Sequence, residues 1–387
     1  MKYKVFVVHC SDYGDVPQKI DILLDMMGGL NQFIRSGERI VVKPNLLQVA
    51  APEKAVTTHP SIVESVCKKV KALNDLAVIA ESPGSGLSHS EGTFKKLYET
   101  CGMNEASQNS GVPLNWDTSH QVVSFGEGQL IKRFEILTPI AEADGVINLC
   151  KMKTHTFMGM TGAVKNNFGA IVGRSKPGYH AKLMDTRHFA GMLLDLADYV
   201  FPRFTIMDAV VGMEGNGPFA GSPKKIGYLL ASESLLALDV VASEMMGLAF
   251  DKNPVLLEAK NRGMTPTSLD AIELVGASID ELRVQDFKMP DTFVSGLGFG
   301  AMPDWVVKLA SALFKNGASM KPVVRQNDCV ACGICKKACP KDAITILPQK
   351  YAHIDPDLCI RCYCCHEMCP EEAIDLRRHW MYRLIHH

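Results

Sequence analysis

Residues 329–340 read CVACGICKKACP, and residues 359–370 read CIRCYCCHEMCP. Both runs space their cysteines as C-x-x-C-x-x-C-x-x-x-C and follow the last one with proline. The first run is Cys329, Cys332, Cys335 and Cys339 with Pro340; the second is Cys359, Cys362, Cys365 and Cys369 with Pro370. A single C-x-x-C pair would fit a zinc site as well. Two complete runs point to two [4Fe-4S] clusters. Three thiolates two residues apart converge on three irons of one cube, whereas the fourth corner faces away from that tight loop. The cysteine before proline therefore reaches the cube of the other repeat. This assigns Cys329, Cys332, Cys335 and Cys369 to a first cluster, and Cys359, Cys362, Cys365 and Cys339 to a second. Cys364 sits beside Cys365, where it either replaces a ligand or lies behind one; the register favours Cys365 as the ligand.

Nine of the 13 cysteines fall between Cys329 and Cys369, and Cys10, Cys67, Cys101 and Cys150 are scattered singly. Such clustering indicates metal ligation rather than disulfides. Each run leads into a similar stretch, KDAITI at 341–346 and EEAIDL at 371–376, so the tail is an internal duplication of roughly thirty residues. From about Val323 to Leu376 it resembles the two-cluster bacterial ferredoxins, which implies low-potential one-electron transfer. Lys321, Arg325, Lys336, Lys337, Lys341 and Arg361 surround the runs, a composition that suits an acidic redox partner protein.

Upstream, the first 280 residues alternate strand-like and helix-like stretches. Strands are expected at Tyr3–Val8, Arg39–Lys43, Leu76–Ala80, Gly145–Leu149, Thr205–Ala209 and Ile226–Ala231. Helices are expected near Pro17–Met27, Pro60–Leu73, Phe94–Cys101, His188–Tyr199, Ser234–Met246 and Asn253–Arg262. Ile20, Leu23, Leu24 and Met27 form one apolar helix face, stopped by Gly28 and Gly29. The expected fold class is α/β, a mostly parallel layered sheet domain followed by a small α+β dicluster ferredoxin-like domain. A hairpin at the sheet edge is expected from Gln121–Phe125 and Leu130–Phe134. The expected domains are 1–280, a connector at 281–322, and 323–387. Within the connector, Trp305–Phe314 is amphipathic; it reads as a segment packed against both domains, or alternatively as a peripheral membrane helix.

Composition narrows the function classes. A formal charge of -1 over 387 residues, with no polybasic run, argues against nucleic acid as the principal partner. No stretch approaches eighteen apolar residues, so no transmembrane segment is expected. The opening MKYKVFVVHC is short for a secretory signal and reads as a buried first strand, giving a cytoplasmic expectation.

Chemistry-bearing residues gather where strands end. VVKPNL at 41–46 offers Lys43 and Asn45, and ESPGSG at 81–86 offers a small-residue loop that is either a simple turn or an anion site. No G-x-x-x-x-G-K-[ST] or G-x-G-x-x-G occurs there. The densest polar stretch is KMKTHTFMGMTGAVKNNFG at 151–169. Its Lys153, His155 and Lys165 are the candidate catalytic residues, able to orient an anionic small molecule and move protons to it. Asp208, with Glu214 and Asn216 in the glycine-rich VVGMEGNGPFAG at 210–221, could complete the site as a flexible loop. Asp239 reads as a helix cap or packing residue, and His9 as structural.

With Lys43, Pro44 and Asn45, Lys153 and His155, Thr161 with Gly162, Lys165, Asn166 and Gly169, and Gly212 to Pro218, the chain resembles the domain-of-unknown-function 362 proteins that carry an appended ferredoxin module. Many relatives place an aspartate after a serine before the late helix; this chain has Ser232, Glu233 and Ser234. The combined expectation is a ferredoxin-fused oxidoreductase with an anionic substrate. The alternative is a non-enzymatic electron carrier or redox-complex assembly subunit. No flavin, molybdenum or nickel site is indicated.

Overall fold

The computed structural model describes residues 2–183, 185–291, 320–348 and 351–377. The amphipathic stretch Trp305–Phe314 lies outside these residues. Among the described residues the first part of the chain builds one mixed, largely parallel sheet. Its strands are β1 (Tyr3–His9), β2 (Ile40–Lys43), β3 (Val78–Ile79), β6 (Gly145–His155), β7 (Gly159–Thr161), β8 (Phe204–Asn216), β9 (Ala220–Ser232) and β10 (Ile272–Val275). The order is β10-β1-β9-β8-β6-β2-β3, with β7 paired to β6. Strands β3, β2, β6 and β8 run parallel, as do β1 and β10; β9 lies antiparallel to both β8 and β1.

Alternation of side chains gives this sheet two apolar faces. Phe6, Val8, Ile40, Val42, Ile147 and Leu149 point into one core, beneath helices 16–26, 60–73 and 91–100. Val5, Val7, Val41, Val146, Cys150 and Met152 point into the other, beneath helices 186–200, 235–246 and 254–261. Strands covered on both sides lose water from both faces, which is why β6 is buried over all of its length.

Several sequence expectations are revised. Strand β6 continues through Lys151–His155, beyond the expected strand end at Leu149 and into the polar stretch. Strands β8 and β9 run far into the glycine-rich stretch, so 210–221 is a long hairpin instead of a flexible loop. Two of its glycines are required by contact: a Cβ on Gly212 would meet the Met152 carbonyl at 2.9 Å, and one on Gly217 would overlap the Thr154 carbonyl. The expected edge hairpin forms as β4 (His120–Ser124) and β5 (Arg133–Leu137), a separate two-stranded sheet. It is pinned elsewhere because the buried Asp195 carboxylate accepts the N–H groups of Gln129, Leu130 and Ile131.

The tail is a small α+β unit. β11 (Lys321–Val324) pairs antiparallel with β14 (Ile374–Arg377), and β12 (Ile344–Ile346) with β13 (Ala352–Ile354). Short helices Ile334–Ala338 and Cys364–Glu367 follow the cysteine loops. They pack against the large domain: Ala338, Cys364 and Met368 form an apolar cluster with Leu47 and Leu87.

Candidate functional site

The cysteine loops repeat in backbone as in sequence. Left-handed residues Ala331, Gly333 and Asp342 recur thirty positions later as Arg361, Tyr363 and Glu372. These turns curl each loop so that its sulfurs face inward. Cys329, Cys332 and Cys335 of the first run and Cys369 of the second line one cavity, closed by Ile346, Ala352 and Ile374. The other four thiols are electrostatic neighbours. Burial raises the Cys359 thiol, with Cys362 and Cys339 nearby, and raises Cys365 well above its usual value, with Cys362, Cys359, Cys335 and Cys339 nearby. Backbone N–H groups donate to cysteine sulfurs at repeat-related positions, Ala343 to Cys339 at 3.3 Å and Ala373 to Cys369 at 3.2 Å; Ala352 donates to Cys329 at 3.4 Å. Among the described residues no three Cys, His, Asp or Glu side chains converge on a single ion. Cys329, Cys332, Cys335 and Cys369 line one cavity together, and four thiols are the donor set that a [4Fe-4S] cube would take.

A second cavity opens where the tail docks. It is lined by Lys153, His155, Thr161, Lys165 and Lys176 of the large domain, and by Glu367 and Met368 of the tail. Helix 163–166 presents Lys165. Asp239 caps this helix, accepting the Ala163 N–H at 2.5 Å and the Val164 N–H at 3.1 Å, as expected of a cap residue. Gly162 must be glycine, since a Cβ there would overlap that carboxylate.

Three lysines around this cavity already have partners. Lys43 pairs with Glu81 at 2.5 Å and donates to the Asn166 carbonyl at 2.5 Å. Lys153 donates to Asn45 Oδ1 at 2.8 Å and to the Val56 carbonyl at 2.6 Å. Lys176 donates to the Ser82 and Pro83 carbonyls, each at 2.7 Å. Lys165 differs: among the described residues its ammonium makes no hydrogen bond or ion pair, and it lies 5.7 Å from the centre of the Phe168 ring. Thr161 Oγ1, Ser82 Oγ and His180 Nδ1, all buried on the cavity wall, also lack hydrogen-bond partners among these residues. Such groups leave unsatisfied valences for a polar ligand.

Burial sets the protonation of the wall. It lowers Lys165 and, more strongly, Lys153, and holds His155 well below the usual imidazole range. His155 Nδ1 accepts the Phe157 N–H at 3.1 Å, so the neutral ring carries its proton on Nε2. Glu367 is pushed up by burial to about 7, against the opposing pull of Lys165 and Lys153.

Other sequence candidates lie elsewhere. Asp208 forms a buried pair with Lys151 at 2.7 Å and accepts from Tyr13, away from the cavity lining. Glu214 accepts the Lys288 N–H, and Asn216 pairs with Asp291. The loop 81–86 spends its amides on the chain itself: Ser82 donates to the Gly169 carbonyl and Gly84 to the Leu47 carbonyl. Gly86 instead lets helix 334–338 approach, since a Cβ there would lie 2.9 Å from that of Ala338. His9 stacks edge-on against Tyr228.

Residues 40–244, more than half of the chain, match the domain of unknown function DUF362. The chain belongs to the DUF362 family. Residues 324–373 of this DUF362 protein match the 4Fe-4S dicluster domain. Over 288 residues it is 28% identical to a thylakoid-associated protein of Synechocystis, covering 73% of this chain and 85% of that one. Over 91 residues it is 34% identical to ketoisovalerate oxidoreductase subunit VorD of Pyrococcus furiosus, covering 24% of this chain and 70% of that one. Among solved structures, the lactate racemase apoprotein of Thermoanaerobacterium thermosaccharolyticum overlaps with a TM-score of 0.42 at 12% identity; the overlap spans 64% of this chain and 58% of that one.

Two features of the DUF362 cavity escaped the sequence. Glu367 was hidden inside a cysteine run, although a signal existed: Lys336 and Lys337 of the first repeat become His366 and Glu367 in the second. Lys176 and His180 carry no motif and reach the cavity only through the packing of helix 176–182. Among the described residues no helix is long and apolar enough to cross a membrane.

Proposed function

We propose that this chain is a ferredoxin-fused oxidoreductase whose tail exchanges electrons with a small anionic molecule bound beneath it. One observation carries this reading: Glu367 and Met368, from within the second cysteine run, line the same cavity as Lys153, His155 and Lys165. The redox module thus forms a wall of the polar pocket. The eight cysteines fit two [4Fe-4S] clusters by donor type, crossed arrangement and N–H···S bonding, and such clusters supply single electrons at low potential. The likeness to a subunit of an oxidoreductase supports the same role.

In this scheme Lys165, without a hydrogen bond or ion pair among the described residues, binds the anion. Thr161 Oγ1 and Ser82 Oγ complete its hydrogen bonds. His155, kept neutral by burial, orients the ligand through Nε2–H rather than acting as an imidazolium acid. Glu367, a carboxyl that burial raises and that lines the same cavity, is the candidate proton donor. Lys153 holds Asn45 and so fixes the wall. The alternative, an electron carrier or assembly subunit, has no use for an open polar cavity.

The test is anaerobic purification with iron and acid-labile sulfide analysis, followed by calorimetric titration with oxalate and with phosphate. Lys165→Gln should weaken anion binding by about tenfold or more, the worth of one charge-assisted hydrogen bond. Zinc in place of iron would overturn the cofactor assignment. Two clusters without anion binding would favour the carrier.

A further inference from the structure

The two cysteine loops share a backbone, but their surroundings differ. In the first, Val330 is 61% exposed and Cys332 is exposed. Among the described residues, the cavity bounded by Cys329, Cys332, Cys335 and Cys369 has no lining residue from the large domain. In the second, every residue from Tyr363 to Cys369 is buried. Cys364 and Met368 form a buried apolar cluster against which Leu47 and Leu87 of the large domain pack, Gln48 donates from Nε2 to the Met368 carbonyl at 3.2 Å, and Lys165 lies within electrostatic reach of Cys364 and Glu367. The repeat-related pairs show the same division. Lys336 and Lys337 point to solvent, whereas His366 and Glu367 are buried.

We infer that the two clusters have fixed and different duties. The quartet Cys339, Cys359, Cys362 and Cys365 holds the cluster that exchanges electrons with the pocket. The quartet Cys329, Cys332, Cys335 and Cys369 holds the one that meets an external one-electron carrier. This assignment rests on the proposed function and adds the order of the route. Each passage in the reducing direction takes one electron from the reduced carrier and delivers one to the bound molecule. A two-electron reduction takes two passages, and in the oxidising direction the same path runs backwards. Exposed Lys336, Lys337 and Lys341 beside the first loop complement a carrier with an acidic face.

Charge placed near one cluster tests the order without any substrate. A positive charge favours the reduced, more negative form and raises the potential of the cluster it faces. Redox titration of the full chain, followed by electron paramagnetic resonance, separates the two signals. Cys332→Ser and Cys362→Ser, each altering or abolishing one signal, identify them. Lys165→Gln should lower the potential of the Cys362-side cluster and leave the other in place, with Lys165→Arg restoring it. Val330→Lys should raise the Cys332-side potential alone. Val330→Glu should slow reduction by a reduced acidic ferredoxin about threefold or more through like-charge contact at docking. A Lys165→Gln shift that falls equally on both clusters, or on the Cys332 side, overturns the order. So does a Val330→Lys shift on the Cys362 side. Absence of any reducible signal removes the cofactor assignment together with the order. Intact, correctly ordered signals in a chain that binds neither oxalate nor phosphate would overturn only the function proposed for the pocket.

Discussion

His180 is an imidazole held against Phe189, with ring centroids 4.5 Å apart, on the wall of the polar cavity. Burial, aided by the Lys165 charge, depresses it to about 3. Below an ordinary histidine pKa of about 6.5 the unfolded chain takes up a proton that the folded chain refuses. The group's contribution to stability is therefore complete above about 6.5 and is lost as pH falls toward 3. His180→Phe keeps the stacked ring and removes the titration. Urea unfolding between pH 4 and 7 should show a shallower acid loss in the variant than in the parent. Equal slopes would mean that His180 is not the group responsible.

At the scale of elements, the pocket depends on how β6 and helix 163–166 are tied down. Lys151, Lys153 and His155 looked like loop residues because charged side chains seldom lie in a strand buried on both faces. Lys151 and Lys153 are satisfied by groups distant in sequence, Asp208 for the first and Asn45 with Val56 for the second, and His155 by the turn that follows β6. The four-residue helix has too few internal hydrogen bonds to stand alone. Its anchor is Asp239, whose carboxylate burial pushes up to about 7. Asp239→Ala would orphan the Ala163 and Val164 N–H groups, at a cost of about 1–3 kcal/mol. Because Lys165 rides on the same helix, oxalate affinity should fall as well. Thermal melts and calorimetry on the same preparation check both effects, and a destabilised variant with unchanged affinity would uncouple the helix from the site.

At the scale of the whole molecule, two apolar cores on either side of one sheet carry the large domain, whereas the tail has only a small core built around its cysteines. A unit with so little apolar burial depends on what its thiolates bind. Oxidation followed by chelation should open residues 323–377 to protease while 40–244 stays resistant. Cys369→Ala belongs to the second repeat by position but lines the first cavity with Cys329, Cys332 and Cys335. Crossed ligation therefore predicts loss of the cluster bound by the first loop, with iron content falling by about half. Retention of that cluster and loss of the other would refute the crossing.

The spacing of Cys329 to Pro340 and of Cys359 to Pro370, together with helix faces such as Ile20, Leu23 and Leu24, was enough to read the architecture. Ligand spacing and helical periodicity are local properties, written in consecutive residues. The sequence also marked Lys153, His155 and Lys165, because polar side chains crowded between strands stand out. Only the tertiary structure decided that, among the described residues, Lys165 is the pocket lysine without a hydrogen bond or ion pair, that loop 81–86 serves docking, and that Glu367 leaves a cysteine run to face a lysine two hundred residues away in sequence. Those outcomes depend on which distant group supplies each hydrogen bond and which surface covers each cavity. They are fixed by packing between the sheet and the tail, and no local pattern encodes them.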